Sequence, residues 1–205
     1  MQIQLTNTGK RYNRDWIFRH CDYKFSVGKS YAIIGLNGSG KSTLLQTIAG
    51  AINPSEGKIE ITVDSKKLAD NQYYKYISLA APYLEVIEEM TAPEFLNFHA
   101  AFKPLLPSIT IAEILTIIGL EKNVEKQIRY YSSGMKQRIK LAQAIFSDTP
   151  VLLLDEPCTN LDTAGYQLYQ HLITTYCSHK LIIVSSNDLQ EYSFCNEQIT
   201  IGDYK

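Results

Sequence analysis

The sequence lacks the features that mark several large classes of protein. No apolar run approaches the roughly 18 residues that a membrane-spanning helix needs. The amino terminus has neither the basic start nor the long apolar core of a signal peptide. Four cysteines are present, none of them in C-x-x-C spacing, and the histidines do not cluster. We therefore expect reduced thiols, with neither a disulfide framework nor a cysteine or histidine metal site.

An excess of charge of one sign is also missing. Charged residues make up 20% of the 205 residues, and the formal net charge is −1. A broad basic surface for nucleic acid or an anionic membrane is therefore not expected, and we predict no direct nucleic-acid partner. Hydrophobic residues make up 45% of the chain, which is the balance of an ordinary globular domain. A chain of this length fits one domain with room for a subdomain.

The most informative stretch of the chain is a glycine-rich loop between an apolar strand and a helix. The apolar run 31–34 is a predicted buried strand that ends at Gly35, and a helix is predicted from Ser42 to near Gly50. Between them the sequence matches the pattern G-x-x-x-x-G-K-[ST] at every fixed position. A glycine turn beside a solvated lysine is the alternative interpretation, but the strand-loop-helix context favours a phosphate-binding loop.

Each fixed position of this loop has a chemical reason. Glycines at 35, 38 and 40 allow a tight curve in which several backbone N–H groups point at one anion. The following helix N-terminus adds partial positive charge. Lys41 would reach the β- and γ-phosphates of a nucleotide, and the Ser42 hydroxyl would bind Mg²⁺. The residues of this segment expected to bind the nucleotide are Gly35, Asn37, Gly38, Ser39, Gly40, Lys41, Ser42 and Thr43.

A pair of carboxylates follows a second apolar strand. The run 151–154 ends in Asp155 and Glu156, directly before Pro157. At the carboxyl end of a strand beside a phosphate loop, Asp155 would bind Mg²⁺ through water and Glu156 would polarise the attacking water. An acidic turn before proline is the alternative interpretation. The phosphate loop favours the catalytic one, in which Lys41 also takes part as the cation on the phosphates.

The pattern of hydrophobic residues divides the chain into an α/β part and a helical part. Alternation at 3–6, 22–27 and 59–63 predicts antiparallel strands. Continuous apolar runs at 151–154 and 181–184 predict parallel strands that are covered on both faces. We therefore expect a mixed sheet core with an antiparallel β subdomain.

The middle of the chain is predicted to be all-helical. Capping boxes begin at Thr91 and at Thr110, and each is followed by a helical pattern. We expect an α/β core over 1–84 and 147–205, with a helical subdomain inserted at 85–146. The predicted fold class is thus α/β, with a mixed sheet core, an antiparallel β subdomain and an inserted all-helical subdomain.

A third segment, Tyr131-Ser-Ser-Gly-Met-Lys-Gln-Arg138, precedes the strand that carries the carboxylate pair. Taken alone, this segment predicts only a capped, basic amphipathic helix that starts at Ser132. Together with the loop at 35–43 and the run 151–157, it resembles one family over essentially the whole chain, the nucleotide-binding domain of ABC (ATP-binding cassette) ATPases. The loop matches the first nucleotide motif of the family fully, 151–157 is similar to the second, and 131–138 lies where the family has its signature, Leu-Ser-Gly-Gly-Gln-x-Gln-Arg. Residues 159–162 look like the D-loop that follows the second motif. The resemblance implies the α/β fold class of a P-loop NTPase with a RecA-like mixed sheet core.

The resemblance implies a mechanism that no single motif shows. Two such domains would face each other head to tail, with two ATP molecules between them. The signature residues of one subunit would close on the γ-phosphate that the other subunit holds, as a helix N-terminus presented to an anion. The resemblance adds further residues to the expected nucleotide site. Tyr12 would stack on adenine, with Trp16 as the alternative ring. The other added residues are Ser132, Ser133, Gly134 and Asp162.

The sequence departs from the family pattern in three places. The family has a glutamine at the end of the strand before the helical insert, whereas 77–82 contains none and Gln72 comes too early. The switch histidine is replaced by Asn187, which donates a hydrogen bond but carries no proton. Within the signature, Ser133 replaces a glycine and Met135 replaces a glutamine. We expect ATP binding to survive these changes and Asn187 to serve as a catalytic γ-phosphate donor. An effect of the changes would fall on turnover and coupling, and the alternative interpretation is harmless sequence drift, because the general-base candidate is intact.

The function that the resemblance implies is that of the ATP-binding and ATP-hydrolysing subunit of an ABC transporter, with ATP and Mg²⁺ as cofactors. Such a subunit would close as a homodimer and drive a separate integral-membrane permease. It would be cytoplasmic, peripheral on the cytoplasmic face of the membrane, and in contact with the membrane only through its partner. Two alternatives remain open: an ABC-type ATPase in assembly, repair or division, and a slow or non-hydrolysing ATP-gated interaction module.

Overall fold

The computed structural model describes residues 1–205, and the chain forms two compact units. Unit 1 contains residues 1–79, 150–156 and 179–205, and unit 2 contains residues 80–149 and 157–178. In chain order the strands and α-helices are β1 (Gln2–Tyr12), β2 (Asp15–Ser26), β3 (Ser30–Ile34), α1 (Lys41–Ile48), β4 (Glu56–Val63), β5 (Lys66–Lys67), β6 (Ile77–Ala80), α2 (Ala92–Phe102), α3 (Ile111–Ile117), α4 (Ser133–Ile145), β7 (Val151–Asp155), α5 (Thr163–Tyr176), β8 (Leu181–Ser185), α6 (Leu189–Tyr192) and β9 (Glu197–Thr200). Short 3-10 helices lie at Asp70–Lys75, Glu121–Asn123, Ile128–Tyr130 and Ile201–Tyr204.

A five-stranded sheet with the order β6-β7-β8-β3-β9 forms the centre of unit 1. β3 pairs with β8 and with β9, and β7 pairs with β8, in each case in parallel. Every residue of β7 and β8 is buried, as expected of continuous Val, Leu and Ile runs that are covered on both faces. Because parallel strands end at the same edge, the segments that follow β3, β7 and β8 all start from one carboxyl edge of the sheet.

The second sheet of unit 1 is antiparallel, with the order β2-β1-β4-β5. The alternation at 3–6 and 22–27 predicts strands that are too short, because β1 and β2 form one long hairpin that turns at residues 13–14. The pairing register shifts three times between Leu5 and Arg11. These β-bulges interrupt the alternation of polar and apolar side chains, which is why the pattern predicted only the regular ends of the hairpin.

Aromatic side chains fix the position of β3 in the core of unit 1. The rings of Tyr23, Phe25 and Tyr31 have centroids 4.8 to 6.0 Å apart. The hydroxyl of Tyr31 accepts a hydrogen bond from the backbone N–H of Ser26, and the hydroxyl of Tyr23 donates one to Glu197. Each of the two phenols therefore has a partner for its polar end. The strand that leads into the glycine-rich loop is held by packing and by hydrogen bonds at once.

Unit 2 is helical, and its helices begin where the capping residues predict. Thr91 and Thr110 accept hydrogen bonds from the backbone N–H groups of Glu94 and Glu113, whose carboxylates in turn accept from the capping residues. Both are complete capping boxes. Ser132 caps α4 in the same way, although without the reciprocal carboxylate.

The carboxyl ends of α4 and α5 pack against each other through aromatic rings. Phe146, which follows α4, lies with its ring centroid 4.8 Å from that of Tyr176, the last residue of α5. Unit 2 therefore includes α5 together with the helices of the predicted insertion, although α5 follows β7 in the sequence. None of the six α-helices combines the length and the apolar composition that crossing a bilayer requires.

Candidate functional site

The glycine-rich loop between β3 and α1 has no room for side chains at two of its glycines. Gly35, Gly38 and Gly40 have φ angles of 149°, 74° and 105°. A Cβ atom on Gly40 would lie 2.4 Å from Cγ2 of Ile17, and one on Gly35 would lie 2.6 Å from Cγ2 of Ile201. The loop thus requires glycine both for its backbone conformation and for its packing. Its backbone N–H groups remain uncovered by Cβ atoms and accessible to an anion.

Lys41 lies across this loop. The residue is 5% exposed, and its Nζ donates hydrogen bonds to the backbone carbonyl of Gly35 at 2.8 Å and to that of Leu36 at 3.3 Å. An ammonium group has three N–H donors, so one donor is left for a further acceptor. The loop therefore places one fixed positive charge next to its own backbone donors.

The first turn of α1 is suited to an anion. Gly40 is the N-cap residue, and no side chain caps the helix. The first N–H groups of a helix have no partner within it, and the macrodipole places partial positive charge there. The hydroxyl oxygen of Ser39 is buried without a hydrogen-bond partner. A phosphate group at this position would satisfy these donors.

Asp155 and Ser185 face each other at the carboxyl edge of the sheet. They are paired in the β7–β8 ladder, and Asp155 is 1% exposed. Neither Oδ1 of Asp155 nor Oγ of Ser185 has a hydrogen-bond partner. Burial raises the pKa of Asp155, while the hydroxyl of Ser42 and the charge of Lys41 act to lower it. A buried carboxylate oxygen without a partner is suited to a cation.

Glu156 is held in an uncommon backbone conformation directly after β7. Its φ of 42° lies in the left-handed region, which residues other than glycine rarely adopt. Its backbone N–H donates a hydrogen bond to the carbonyl of Ser185 at 2.8 Å. This bond extends the β7–β8 contact by one residue and keeps Glu156 at the carboxyl edge next to Asp155. Strained residues of this kind cluster at functional sites.

Asn187 follows β8 and contacts the glycine-rich loop. Its Nδ2 donates a hydrogen bond to Oδ1 of Asn37 at 2.7 Å. The preceding residue, Ser186, donates its backbone N–H to the carbonyl of Ile33 at 3.2 Å, close to the end of β3. Unit 1 thus brings together three groups that the sequence predicts: the phosphate loop, the carboxylate pair and the switch amide.

The two aromatic candidates for stacking on adenine differ in how accessible their rings are. The guanidinium carbons of Arg11 and Arg19 lie 5.5 Å and 4.3 Å from the ring centroid of Trp16. Tyr12 is 49% exposed, with Nζ of Lys10 located 5.3 Å from its ring centroid. Cations therefore cover Trp16 more closely, and Tyr12 offers the more accessible ring.

The end of β6 carries no amide side chain in place of the missing glutamine. Ala80 and Ala81 are buried there. Gln72 is exposed and lies in the 3-10 helix that precedes β6. The structure therefore offers no replacement for the family's glutamine at this position.

In unit 2, the amino terminus of α4 forms the second group of predicted site residues. The hydroxyl of Ser132 accepts a hydrogen bond from the backbone N–H of Met135 at 3.3 Å. The N–H groups of the two residues between them have no partner within the helix. A cavity of about 320 Å³ lies here, lined by residues 132–135 and 160–162 together with Arg138. A Cβ atom on Gly134 would lie 3.2 Å from the backbone carbonyl of Asn160, so the signature glycine permits this close approach.

Asp162 joins α4 to the beginning of α5. Its Oδ1 accepts a hydrogen bond from the backbone N–H of Gly165 at 2.8 Å, and Nη2 of Arg138 lies 3.8 Å from the same oxygen. Gln137 is buried and donates a hydrogen bond to the carbonyl of Pro157 at 2.6 Å. These contacts connect the signature helix with the D-loop segment within unit 2.

Several residues that shape the site were not predicted from the sequence. Ser185 could have been found, because aligning the two buried parallel strands places it opposite Asp155. Ile17 and Ile201 pack against the loop glycines, and no local pattern indicates them. Ile17 lies in the bulged hairpin, where the alternation of side chains is interrupted.

Both the sequence and the fold match known proteins. The family described as "ABC transporter" matches residues 18–159. The cytochrome c biogenesis ATP-binding export protein CcmA of Agrobacterium fabrum is 29% identical over 191 residues, which cover 91% of this chain and 88% of that protein. The uncharacterized ABC transporter ATP-binding protein YybJ of Bacillus subtilis is 32% identical over 164 residues, which cover 80% of this chain and 74% of that protein.

The fold agrees with these sequence matches. A dimeric ATP-binding cassette in a post-hydrolysis state, bound to ADP and Pi, matches with a TM-score of 0.82 at 24% identity. The match covers 97% of this chain and 93% of that one. The predicted P-loop NTPase fold class is therefore confirmed. Since the family match includes the phosphate loop, the signature and the carboxylate pair, the chain belongs to the ABC transporter family, in which it is an ATP-binding cassette that hydrolyses ATP.

Proposed function

We propose that two copies of this chain close on two ATP molecules and thereby drive a separate membrane-spanning permease. The observation that carries the proposal is the presence of two helix ends suited to anions. One is the start of α1 beside the carboxylate pair, and the other is the start of α4, where Ser132 and Ser133 are exposed. A γ-phosphate held at α1 of one copy is then shared with α4 of the other copy, as in a head-to-tail arrangement of two identical subunits.

The donors at the phosphate loop fit Mg²⁺ bound together with ATP. No cluster of three or more His, Cys, Asp or Glu side chains could hold a metal on its own. Mg²⁺ usually takes one or two carboxylates and completes its shell with waters and substrate phosphates. Asp155 and the hydroxyl of Ser42 supply such a partial set, and the cation would satisfy the unpartnered Oδ1 of Asp155. These two residues are the proposed magnesium ligands.

Each remaining group of unit 1 has a role in the proposed reaction. Lys41 and the loop N–H groups hold the phosphates, and Tyr12 stacks on adenine. Glu156 accepts a proton from the attacking water, and Asn187 donates a hydrogen bond to the γ-phosphate. Hydrolysis then removes the group that both subunits share, so the closed dimer loses its main contact and opens.

Sharing of the site between two copies predicts complementation between two inactive variants. Lys41→Ala damages the phosphate loop, and Ser132→Arg damages the signature, so each variant alone should be inactive. A mixed dimer keeps one site in which both parts are intact. With random pairing, mixing equal amounts should restore about one quarter of the wild-type rate, since half of the dimers are mixed and each keeps one of two sites. Phosphate release measured after mixing checks this expectation.

The matched control is a mixture of Lys41→Ala with Glu156→Gln. Both substitutions damage the same half of the site, so no mixed dimer contains an intact site and no activity should return. Ser132→Arg also removes an N-cap that contributes about 1 kcal/mol to helix stability. Its circular dichroism spectrum should therefore be recorded beside that of the wild type. Two folded variants that stay inactive when mixed would contradict the shared site.

The membrane partner is inferred from the relatives. CcmA is named as an ATP-binding export protein, and a subunit of this type would lie on the cytoplasmic face of the membrane, bound to its permease. We expect a tagged copy, purified from detergent-solubilised membranes, to retain an integral-membrane protein and to hydrolyse ATP faster with it than without it. Recovery of water-soluble partners alone would favour the ABC-type ATPase of assembly, repair or division.

A further inference from the structure

The hydrogen bond between Asn187 and Asn37 joins two side chains that are 150 positions apart in the sequence. Asn187 lies two residues after the end of β8, and Asn37 belongs to the phosphate loop. Both side chains are exposed, so burial does not hold either of them. The bond is therefore the contact that fixes the switch amide relative to the loop.

The backbone at Asn37 is held in one place by the loop. Asn37 lies between Gly35 and Gly38, both of which have positive φ, and the backbone N–H of Ser39 donates to the carbonyl of Leu36 at 3.0 Å. The exposed side chains of Asn37 and Asn187 each have two rotatable bonds and would otherwise distribute over several rotamers. The hydrogen bond between them restricts both side chains relative to the constrained backbone of the loop.

An amide side chain has two N–H donors. Asn187 uses one of them on Oδ1 of Asn37, which leaves the second N–H and fixes the plane of the amide. We propose that Asn37 is a positioning residue, whose side-chain oxygen orients Asn187 so that the second N–H reaches the γ-phosphate. This inference rests on the proposed role of Asn187 as a γ-phosphate donor. It gives the loop a side-chain function in addition to its backbone contacts.

The proposal predicts that removal of Asn37 acts only through Asn187. Asn37→Ala should lower kcat by about three- to tenfold, the range expected for one net neutral hydrogen bond. The KM for ATP should change little, because the loop N–H groups and Lys41 are untouched. In an Asn187→Ala background, Asn37→Ala should have no further effect on kcat. Steady-state phosphate release from the four proteins of this double-mutant cycle measures the coupling.

Asn37→Asp serves as the matched variant that keeps the acceptor. Its carboxylate oxygen still accepts from Asn187, so kcat should fall less than in Asn37→Ala. The added negative charge lies near the triphosphate and should raise the KM for ATP. The two variants are thus expected to differ in the kinetic parameter that changes most: Asn37→Ala mainly lowers kcat, whereas Asn37→Asp mainly raises the KM for ATP.

Three results would overturn the proposal, and they are distinguishable. An equal loss of kcat from Asn37→Ala in the wild-type and the Asn187→Ala backgrounds would give Asn37 a role of its own. A kcat that is higher in Asn37→Ala than in the wild type would show that Asn37 holds the amide of Asn187 away from the γ-phosphate. An unchanged rate for Asn187→Ala alone would remove the proposed role of Asn187, and the inference with it, while the complementation experiment would still test the shared site.

Discussion

Glu156→Gln is expected to trap the protein as an ATP-bound dimer and to lower the rate of ATP hydrolysis by at least about a hundredfold, the low end of what a general base contributes. Glutamine keeps the shape of glutamate and still positions a water, but it is a far poorer proton acceptor. ATP would bind at the loop, the signature of the second copy would close on it, and the γ-phosphate would remain uncleaved. Light scattering should then report twice the monomer mass with ATP.

Two controls make this result specific to the γ-phosphate. ADP lacks the shared group, so Glu156→Gln with ADP should remain monomeric. Glu156→Gln combined with Ser132→Arg should also remain monomeric with ATP, because the signature end of α4 is blocked. A monomer under all three conditions would count against the sandwich mechanism. Repeating the measurement with the co-purified membrane partner would show whether closure requires that partner.

Lys41→Met is expected to weaken ATP binding by at least tenfold. Lys41 carries the only charge in the loop segment 35–43, and hydrogen bonds to charged groups contribute about 1.5–3 kcal/mol, which corresponds to roughly ten- to hundredfold in affinity. Methionine keeps the apolar stem of this buried side chain, so the change removes the ammonium with little loss of packing. Equilibrium binding of a labelled ATP to wild type and variant measures the effect.

Lys29→Met is the matched control for this measurement. Lys29 is exposed and forms a surface ion pair with Glu197 at 2.7 Å, a type of contact that contributes about 0–1 kcal/mol to stability. Its removal should leave the affinity for ATP unchanged. Equal affinities for Lys41→Met and wild type would overturn the assignment of the loop as the nucleotide site. A parallel thermal denaturation of both variants separates a loss of binding from a loss of folded protein.

The residues that carry the motifs could be predicted from the sequence because their chemistry requires fixed residue types at fixed spacing. Gly35, Gly40 and Lys41 occur together in the phosphate-loop pattern, and Asp155 follows a run of apolar residues that is typical of a buried strand. Helix starts were equally predictable, since the capping residues act on N–H groups within one turn of themselves. The roles assigned to all of the site residues, Tyr12 and the signature residues included, remain predictions.

What could not be predicted depends on contacts between distant segments. The β-bulges of the hairpin shift its register, so neither its length nor the contact of Ile17 with Gly40 follows from local alternation. The sequence shows that Asn187 replaces a histidine, but not that Asn37 is its partner. Contacts such as that between Asn187 and Asn37 depend on where the ends of different strands lie in space. The pattern of a single sequence indicates the spacing of hydrophobic residues and the chemistry of side chains, but little about the positions of strand ends.

The β3–β8 pairing has a consequence for insertions and deletions. Asn187 reaches the loop because β8 pairs with β3, the strand that leads into the loop, from Ile182 opposite Ser30 to Ser185 opposite Ile33. One added or removed residue inside β8 would turn the side chains that follow to the opposite face and move Asn187 by about 3.3 Å. Replacing one buried aliphatic residue of β8 by a smaller one such as valine costs only about 1 kcal/mol. This segment therefore tolerates changes in side-chain volume but not in length, so divergent homologues should align across it without gaps.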